Sequence, residues 1–207
     1  MINFMDYDGI TTNRISYAPS MGVNAIPDSV VAEIQHGLKQ FKAVSVREEK
    51  AAELLAPYLT DKPQVVVDPT LLLTSEEWLD IFPEDAYEGN DYVFAFFLND
   101  EKRHLEAAKK FAKRLNNKLI LVPYKGTTYL QNADIRADAG LEDMLNLIRN
   151  AKYVITDSFH ITVFSIIYRK QFYTFQRFKE DEFTSQNVRV TNLLRMVDLS
   201  ERLIPYQ

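Results

Sequence analysis

Tyr92-Val93-Phe94-Ala95-Phe96-Phe97-Leu98 is an unbroken apolar run. A strand that does not alternate polar with apolar has both faces covered, which is the mark of a parallel sheet packed between helices. The residues downstream keep that pattern. Leu105, Ala108, Phe111, Ala112 and Leu115 mark one side of a helix, and Lys118-Leu119-Ile120-Leu121-Val122-Pro123 reads as the next strand. Leu141, Met144, Leu145 and Ile148 line another helix face. Tyr153-Val154-Ile155-Thr156 is a strand that opens into a helix over 159–168 with almost no polar face. Gln171–Phe175 follows as a strand, and 188–197 as a late helix. Strands and helices alternating at these lengths predict an α/β fold with parallel sheets.

Upstream the same alternation occurs once more. Arg14-Ile15-Ser16-Tyr17-Ala18 reads as a strand, broken by Pro19-Ser20-Met21-Gly22. Asp28 is placed to cap a helix carrying Val30, Val31, Ile34, Leu38 and Phe41. Ala43-Val44-Ser45-Val46 is a second strand, and a helix begins near Glu48 with Glu48 and Glu49 at its positive end. Val65-Val66-Val67 is a third strand, closed by Asp68-Pro69. Thr74 and Glu77 make a capping-box pattern for a helix bearing Trp78. The acidic, turn-forming stretch Pro83-Glu84-Asp85-Ala86-Tyr87-Glu88-Gly89-Asn90 reads as a linker. Two Rossmann-like domains are therefore expected, 1–85 and 86–207. The first offers only three strands, opening on a bare edge at 14–18, so it reads as the remnant of a larger N-terminal domain.

Composition narrows the functions. Of 207 residues, 46% are hydrophobic and 26% charged, and the net charge is −5. That excludes a disordered tail and leaves no basic footprint for nucleic acid, although a local cationic pocket stays compatible with it. Cysteine is absent, which removes disulfides, thiolate metal sites and cysteine nucleophiles. No apolar run approaches the roughly 20 residues of a membrane helix, and Met1–Asp6 lacks a signal design, so a cytoplasmic protein is expected. The three histidines show no metal-ligand spacing; His36 and His104 fall on helices and face solvent as readily as anything else. No Gly-x-Ser-x-Gly elbow or phosphate loop ending in Gly-Lys occurs.

In open parallel sheets, ligands bind beyond the carboxyl ends of the strands. Four such exits carry polar residues. Thr156-Asp157-Ser158-Phe159-His160 packs hydroxyls, a carboxylate and an imidazole into one turn. Asp157 or Ser158 can simply cap the helix with His160 packed beside them, or the imidazole can bind a phosphate or move a proton. Ser45-Val46-Arg47-Glu48 offers a guanidinium suited to a carboxylate or phosphate, or to an internal ion pair with Glu48, Glu49 or Asp68. Ser20-Met21-Gly22 lets backbone N–H groups approach an anion. Asp68-Pro69 reads as a turn device. Arg177, Asn187 and Arg189 near the last strand read as solvated surface.

In this order, Arg14–Gly22 with its Ala18-Pro19-Ser20-Met21-Gly22 turn, Val44-Ser45-Val46-Arg47-Glu48, Asp68-Pro69-Thr70-Leu71-Leu72-Leu73 with Trp78, and Thr156-Asp157-Ser158-Phe159-His160 resemble the polysaccharide pyruvyl transferase family over nearly the whole chain. The resemblance implies a glycosyltransferase-B-like architecture of two Rossmann-type domains. It also implies transfer of a pyruvyl group from phosphoenolpyruvate to the hydroxyls of a saccharide acceptor, forming a ketal on a cell-surface glycan or its lipid-linked precursor. Ile161 stands where family members usually have glycine after the histidine, and family members are longer at the N-terminus. By motif matching, Arg47 clamps the donor's carboxylate or phosphate, with Ser20, Gly22 and Ser158 also binding substrate. His160 binds the phosphate or protonates the enol carbon, and Asp157 stabilises an oxocarbenium-like species or orients His160. No metal or other cofactor is called for. Peripheral contact with lipid-linked glycans fits this reading, and a homo-oligomer is compatible with it. Alternatives are a nucleotide-sugar glycosyltransferase on the same scaffold and a non-catalytic remnant. Alanine at Arg47 or His160 is expected to weaken phosphoenolpyruvate binding with little loss of folding stability.

Overall fold

A computed structural model describes residues 12–84, 89, 91–99, 101–124, 135–136, 139–179, 182 and 185–206. The chain divides into two compact units, one formed by the residues up to Pro69 with Phe178–Val197, the other by Thr70–Arg177 with Asp198–Gln207. The boundary expected between residues 85 and 86 falls outside the described residues.

In the first unit, strands β1 (Arg14–Ser16), β2 (Phe41–Val46) and β3 (Gln64–Val65) form a parallel sheet in that order, joined by helices α1 (Asp28–Leu38) and α2 (Glu49–Leu55). Its core is Leu38, Val46, Ala51, Ala52 and Leu55, with Ile34 and Val44 packed against it. Two local readings are corrected. Pro27, not Asp28, is the cap of α1; Asp28 makes no capping bond and lies in the first turn, where its charge still meets the positive helix end. Phe41 opens β2 instead of extending α1, because the helix stops at Leu38 and Gln40 N–H closes back on Gly37 O at 3.1 Å. Strand β1 ends at Ser16, and Ala18 turns out at φ 54°.

The second unit begins with α3 (Ser75–Ile81). Thr74 and Glu77 form the expected reciprocal capping box, with bonds of 2.8 and 3.2 Å. Trp78 donates from Nε1 to Thr70 O at 3.1 Å and meets Phe164 edge-on at 5.1 Å, which ties this segment to the second unit. Strand β4 (Tyr92–Phe96), helix α4 (Lys102–Arg114), β5 (Lys118–Val122), β6 (Ile135–Arg136), α5 (Leu141–Asn150), β7 (Tyr153–Thr156), α6 (Phe159–Ile167), β8 (Gln171–Phe175) and β9 (Leu203–Ile204) complete it. Helix α7 (Asn187–Met196) belongs to the first unit. The six strands are parallel, in the order β6-β5-β4-β7-β8-β9. Numbered by appearance that is 3-2-1-4-5-6, the Rossmann order, and the direction of winding reverses between β4 and β7.

Strand β4 is buried on both faces, as its unbroken apolar run requires: Val93 and Ala95 join the cluster with Leu105, Ala108, Leu121 and Ile155, while Phe94 is fully buried on the other side. Helix α6 is almost wholly buried, so its hydroxyls must be satisfied internally. Thr162 Oγ1 donates to Ser158 O and meets Thr174 Oγ1, both at 2.8 Å, and Ser165 Oγ donates to Ile161 O at 2.7 Å. Strands β6 and β9, two residues each, give no periodic signal and are absent from the sequence reading. Leu141, assigned to an apolar face, is exposed at the first position of α5.

Candidate functional site

At the carboxyl end of the first sheet, all three strand exits are tied together. Ser20, after β1, donates its hydroxyl to Oε1 of Glu48, after β2. Arg47 pairs through Nη1 with Asp68, after β3, and its Nε lies 3.5 Å from Glu48 Oε1. Glu48 and Asp68 are buried and Arg47 nearly so. The internal ion pair is thus the arrangement found in this structure, and Asp68 is its anchor as well as a turn residue. Glu48 Oε2 is buried without a hydrogen-bond partner.

Helix α7 braces this cluster. Asn192 donates Nδ2 to Arg47 O at 2.9 Å and accepts Glu49 N–H at 3.5 Å, fixing the turn from which Arg47 projects. Gly22 has φ +61°, and a Cβ there would stand 3.3 Å from Arg189 Cδ. Both conditions favour glycine, the second because α7 crowds the loop. Sequence reasoning missed Asn192; its only signal was an amide on the late helix. Asn187, read as surface, clasps the backbone of Phe178 through both amide atoms, at 3.3 and 2.7 Å.

At the carboxyl end of the second sheet, the site forms where the winding reverses. Asp157 is buried, and its carboxylate accepts Leu98 N–H at 2.7 Å and Asn99 N–H at 3.1 Å, joining the exits of β7 and β4. Thr156 Oγ1 donates to Phe96 O at 2.7 Å and accepts Ser158 N–H at 3.0 Å, locking the same junction. Ser158 is the cap residue of α6, yet its side chain makes no capping bond. Capping by side chain therefore does not account for this turn. His160 lies exposed in the first turn of α6, edge-on to Phe159 at 5.3 Å.

His104 departs furthest from its sequence reading. The sequence left it as ready to face solvent as anything else, and it is completely buried, with neither ring nitrogen hydrogen-bonded. The imidazole stacks on Phe175 at 4.3 Å, and its Nδ1 lies 3.8 Å from Asp157 Oδ2. Its spacing with Ala108, Phe111 and Ala112 is that of the buried face of α4, so the signal was present in the periodicity. Among the described residues, no group of three or more His, Asp or Glu side chains is placed to hold a metal ion.

The family model for polysaccharide pyruvyl transferase matches residues 6–177, which take in every one of these strand exits. The chain belongs to the polysaccharide pyruvyl transferase family. Helix α7, which braces Arg47, lies beyond the matched span. Among solved structures, the Methanocaldococcus jannaschii UDP-GlcNAc 2-epimerase in complex with UDP-GlcNAc and UDP is similar at 14% identity and a TM-score of 0.45, over 85% of this chain and 61% of that one. A second structure of that epimerase is similar at 13% identity and a TM-score of 0.45, over 83% and 61%. This chain thus spans 61% of the length of either. No curated protein matches it.

Proposed function

We propose that this chain carries out pyruvyl transfer, moving the pyruvyl group of phosphoenolpyruvate onto two hydroxyls of a sugar during cell-surface polysaccharide synthesis on the cytoplasmic side. The observation that carries the proposal is the family match over 6–177, which encloses the Ser20, Arg47, Asp68 and Asp157–His160 turns together. The roles are argued unit by unit. In the first, Arg47 is aimed by Asp68 and by the Asn192 brace, and its guanidinium, held in a fixed direction, exchanges part of its carboxylate contact for the donor's carboxylate or phosphate. Ser20 and Gly22 line the neighbouring loop, the serine hydroxyl donating to Glu48 and the glycine leaving its backbone without a side chain. In the second unit, His160 is presented by a turn whose every support is internal, which suits a group that must be both accessible and oriented.

Protonated His160 gives its proton to the methylene carbon of the enol, leaving an oxocarbenium-like centre at the neighbouring carbon. One sugar hydroxyl adds there and loses its proton; the second closes the ketal as the C–O bond to phosphate breaks, and inorganic phosphate departs with the remaining proton. Asp157, committed to two backbone amides, is in this reading a positioning residue for the turn, with Ser158 beside the substrate. The test uses the full chain with phosphoenolpyruvate and a lipid-linked saccharide, following inorganic phosphate and the new ketal methyl group by NMR. His160→Ala should slow turnover by about 10²- to 10⁴-fold while the fold persists. An unchanged rate in that variant overturns the role of His160, and ketal-free phosphate release overturns the reaction.

A further inference from the structure

A hollow of about 350 Å³ lies within the second unit at the amino ends of β4, β7 and β8, the opposite strand ends from the Asp157 turn. Its wall carries Arg149, Lys152, Arg169 and Lys170 against a single carboxylate, Asp91. In a chain of net charge −5, this concentration of cations is local and unlike the whole. Two of the four are held by hydrogen bonds or an ion pair among the described residues. Lys152 pairs with exposed Asp91 at 3.0 Å, and Arg149 is held by Asn146 Oδ1 at 2.9 Å, by Phe82 O and by the Tyr168 hydroxyl.

The other two are placed at some cost. Arg169 occupies φ 53° at the end of α6, where Arg169 N–H bonds Ile166 O at 3.0 Å and Lys170 N–H bonds Ser165 O at 2.8 Å. That is a Schellman closure, whose left-handed position is normally glycine; the equivalent position after α4 holds Asn116, the residue that tolerates it next best. An arginine here gives up backbone comfort; it lines the hollow from an exposed position, and its charge also acts on Glu76. Lys170 is half-buried, and no hydrogen bond or ion pair holds its ammonium among the described residues. Burial lowers its pKa, with Glu84 opposing that shift by its charge. A partly desolvated cation beside other cations is the environment that an incoming anion improves.

We propose that this hollow binds a phosphoryl group, engaged by Arg169 and Lys170 with Lys152 at the rim. The chemistry is shared by a free phosphorylated metabolite and by the headgroup of a phospholipid or lipid-linked glycan. The inference is independent of the pyruvyl transfer reading.

The full chain is titrated with inorganic pyrophosphate, following thermal unfolding, and is separately sedimented with phosphatidylglycerol or phosphatidylcholine vesicles. The parent is compared with an Arg169→Gly, Lys170→Gln double variant. This variant should unfold at the same temperature as the parent or higher, since glycine suits the left-handed position and glutamine removes a half-buried charge. A saturable rise in unfolding temperature with pyrophosphate, weakened about tenfold or more in the variant, establishes a site for a free phosphoryl ligand. Sedimentation with phosphatidylglycerol alone, lost in the variant, establishes a headgroup site. Neither response, or either one equal in parent and variant, overturns the proposal.

Discussion

The two clusters of strand exits treat their carboxylates in opposite ways. In the first unit, Asp68 and Glu48 face a side chain, the guanidinium of Arg47. In the second, Asp157 faces the backbone, accepting from Leu98 and Asn99. A guanidinium shared between carboxylates can exchange part of its contact for an incoming carboxylate or phosphate, because the new partner repeats the old chemistry. A carboxylate that satisfies two amides cannot let go without leaving them unpaired. Arg47 is therefore built to be negotiable and Asp157 to be fixed. In the proposed reaction, the reactive group at this turn is therefore His160, with Asp157 holding the turn through Leu98 and Asn99.

The largest expected effect tests the fixed side. Asp157→Ala removes two charge-assisted hydrogen bonds in a buried position, which should cost about 3–5 kcal/mol in urea unfolding. Asp157→Asn keeps an acceptor for one amide and should cost less. If Asp157→Ala stays within ~1 kcal/mol of the parent, the amides have other partners and the contrast collapses.

Arg47→Ala comes next. It strands two buried carboxylates beside each other, so a loss of about 3 kcal/mol is expected. This revises the expectation, formed from sequence, that alanine here leaves stability nearly untouched. That expectation treated the guanidinium as presented to a ligand, whereas it is also the counter-charge of its own turn. Replacing Arg47 and Asp68 together by Met and Leu should cost less than Arg47→Ala alone. A double replacement costing as much as both single losses added would show that the two side chains do not depend on each other.

His104 sharpens the contrast further. Its ring makes no hydrogen bond although it lies 3.8 Å from Asp157. His104→Leu should therefore shift stability by no more than about 1 kcal/mol, the lost stacking on Phe175 being offset by relief from burying two unpaired nitrogens. A loss beyond ~2 kcal/mol would mean that the imidazole supports the carboxylate directly.

What was legible in the sequence follows from how each signal arises. The continuous apolar run at β4 fixed a parallel sheet because no other common environment buries both faces of a strand. The Thr74–Glu77 box appeared as read because both of its bonds are local. The four strand exits were legible as polar turns after apolar strands, and the structure brings three of them together at Arg47. Partner choice was legible only in part. Asp68 stood among the three carboxylates offered to Arg47, but Ser20 with Glu48 and Asn192 with the Arg47 carbonyl, 28 and 145 positions apart, were not named by anything in the composition of either partner. At His104 the reading stayed open although helical spacing already placed the ring with Ala108 and Phe111. The capping role allowed for Asp157 failed for a related reason: a carboxylate before a helix serves whichever amides lie nearest, and here those belong to β4.

Lys170 extends the comparison to a half-buried charge that no ion pair holds among the described residues, Glu84 acting on it only by its charge, and it carries the smallest effect. Burial holds its pKa below the ordinary 10.5, so the folded chain releases this proton at lower pH than the unfolded chain does. Between the lowered value and 10.5 the unfolded state binds more protons, and stability must rise with pH across that window. Tyr168 acts in the opposite sense. Burial raises its pKa above 10.0, more strongly than the hydrogen bond and charge of Arg149 lower it, so the folded state keeps that proton longer and stability falls above that point. The two are separable by substitution. As pH rises toward 10.5, unfolding temperature should gain less in Lys170→Met than in the parent. Equal slopes would mean that Lys170 is as well matched as Arg47, and that the hollow it faces already holds the charge it needs.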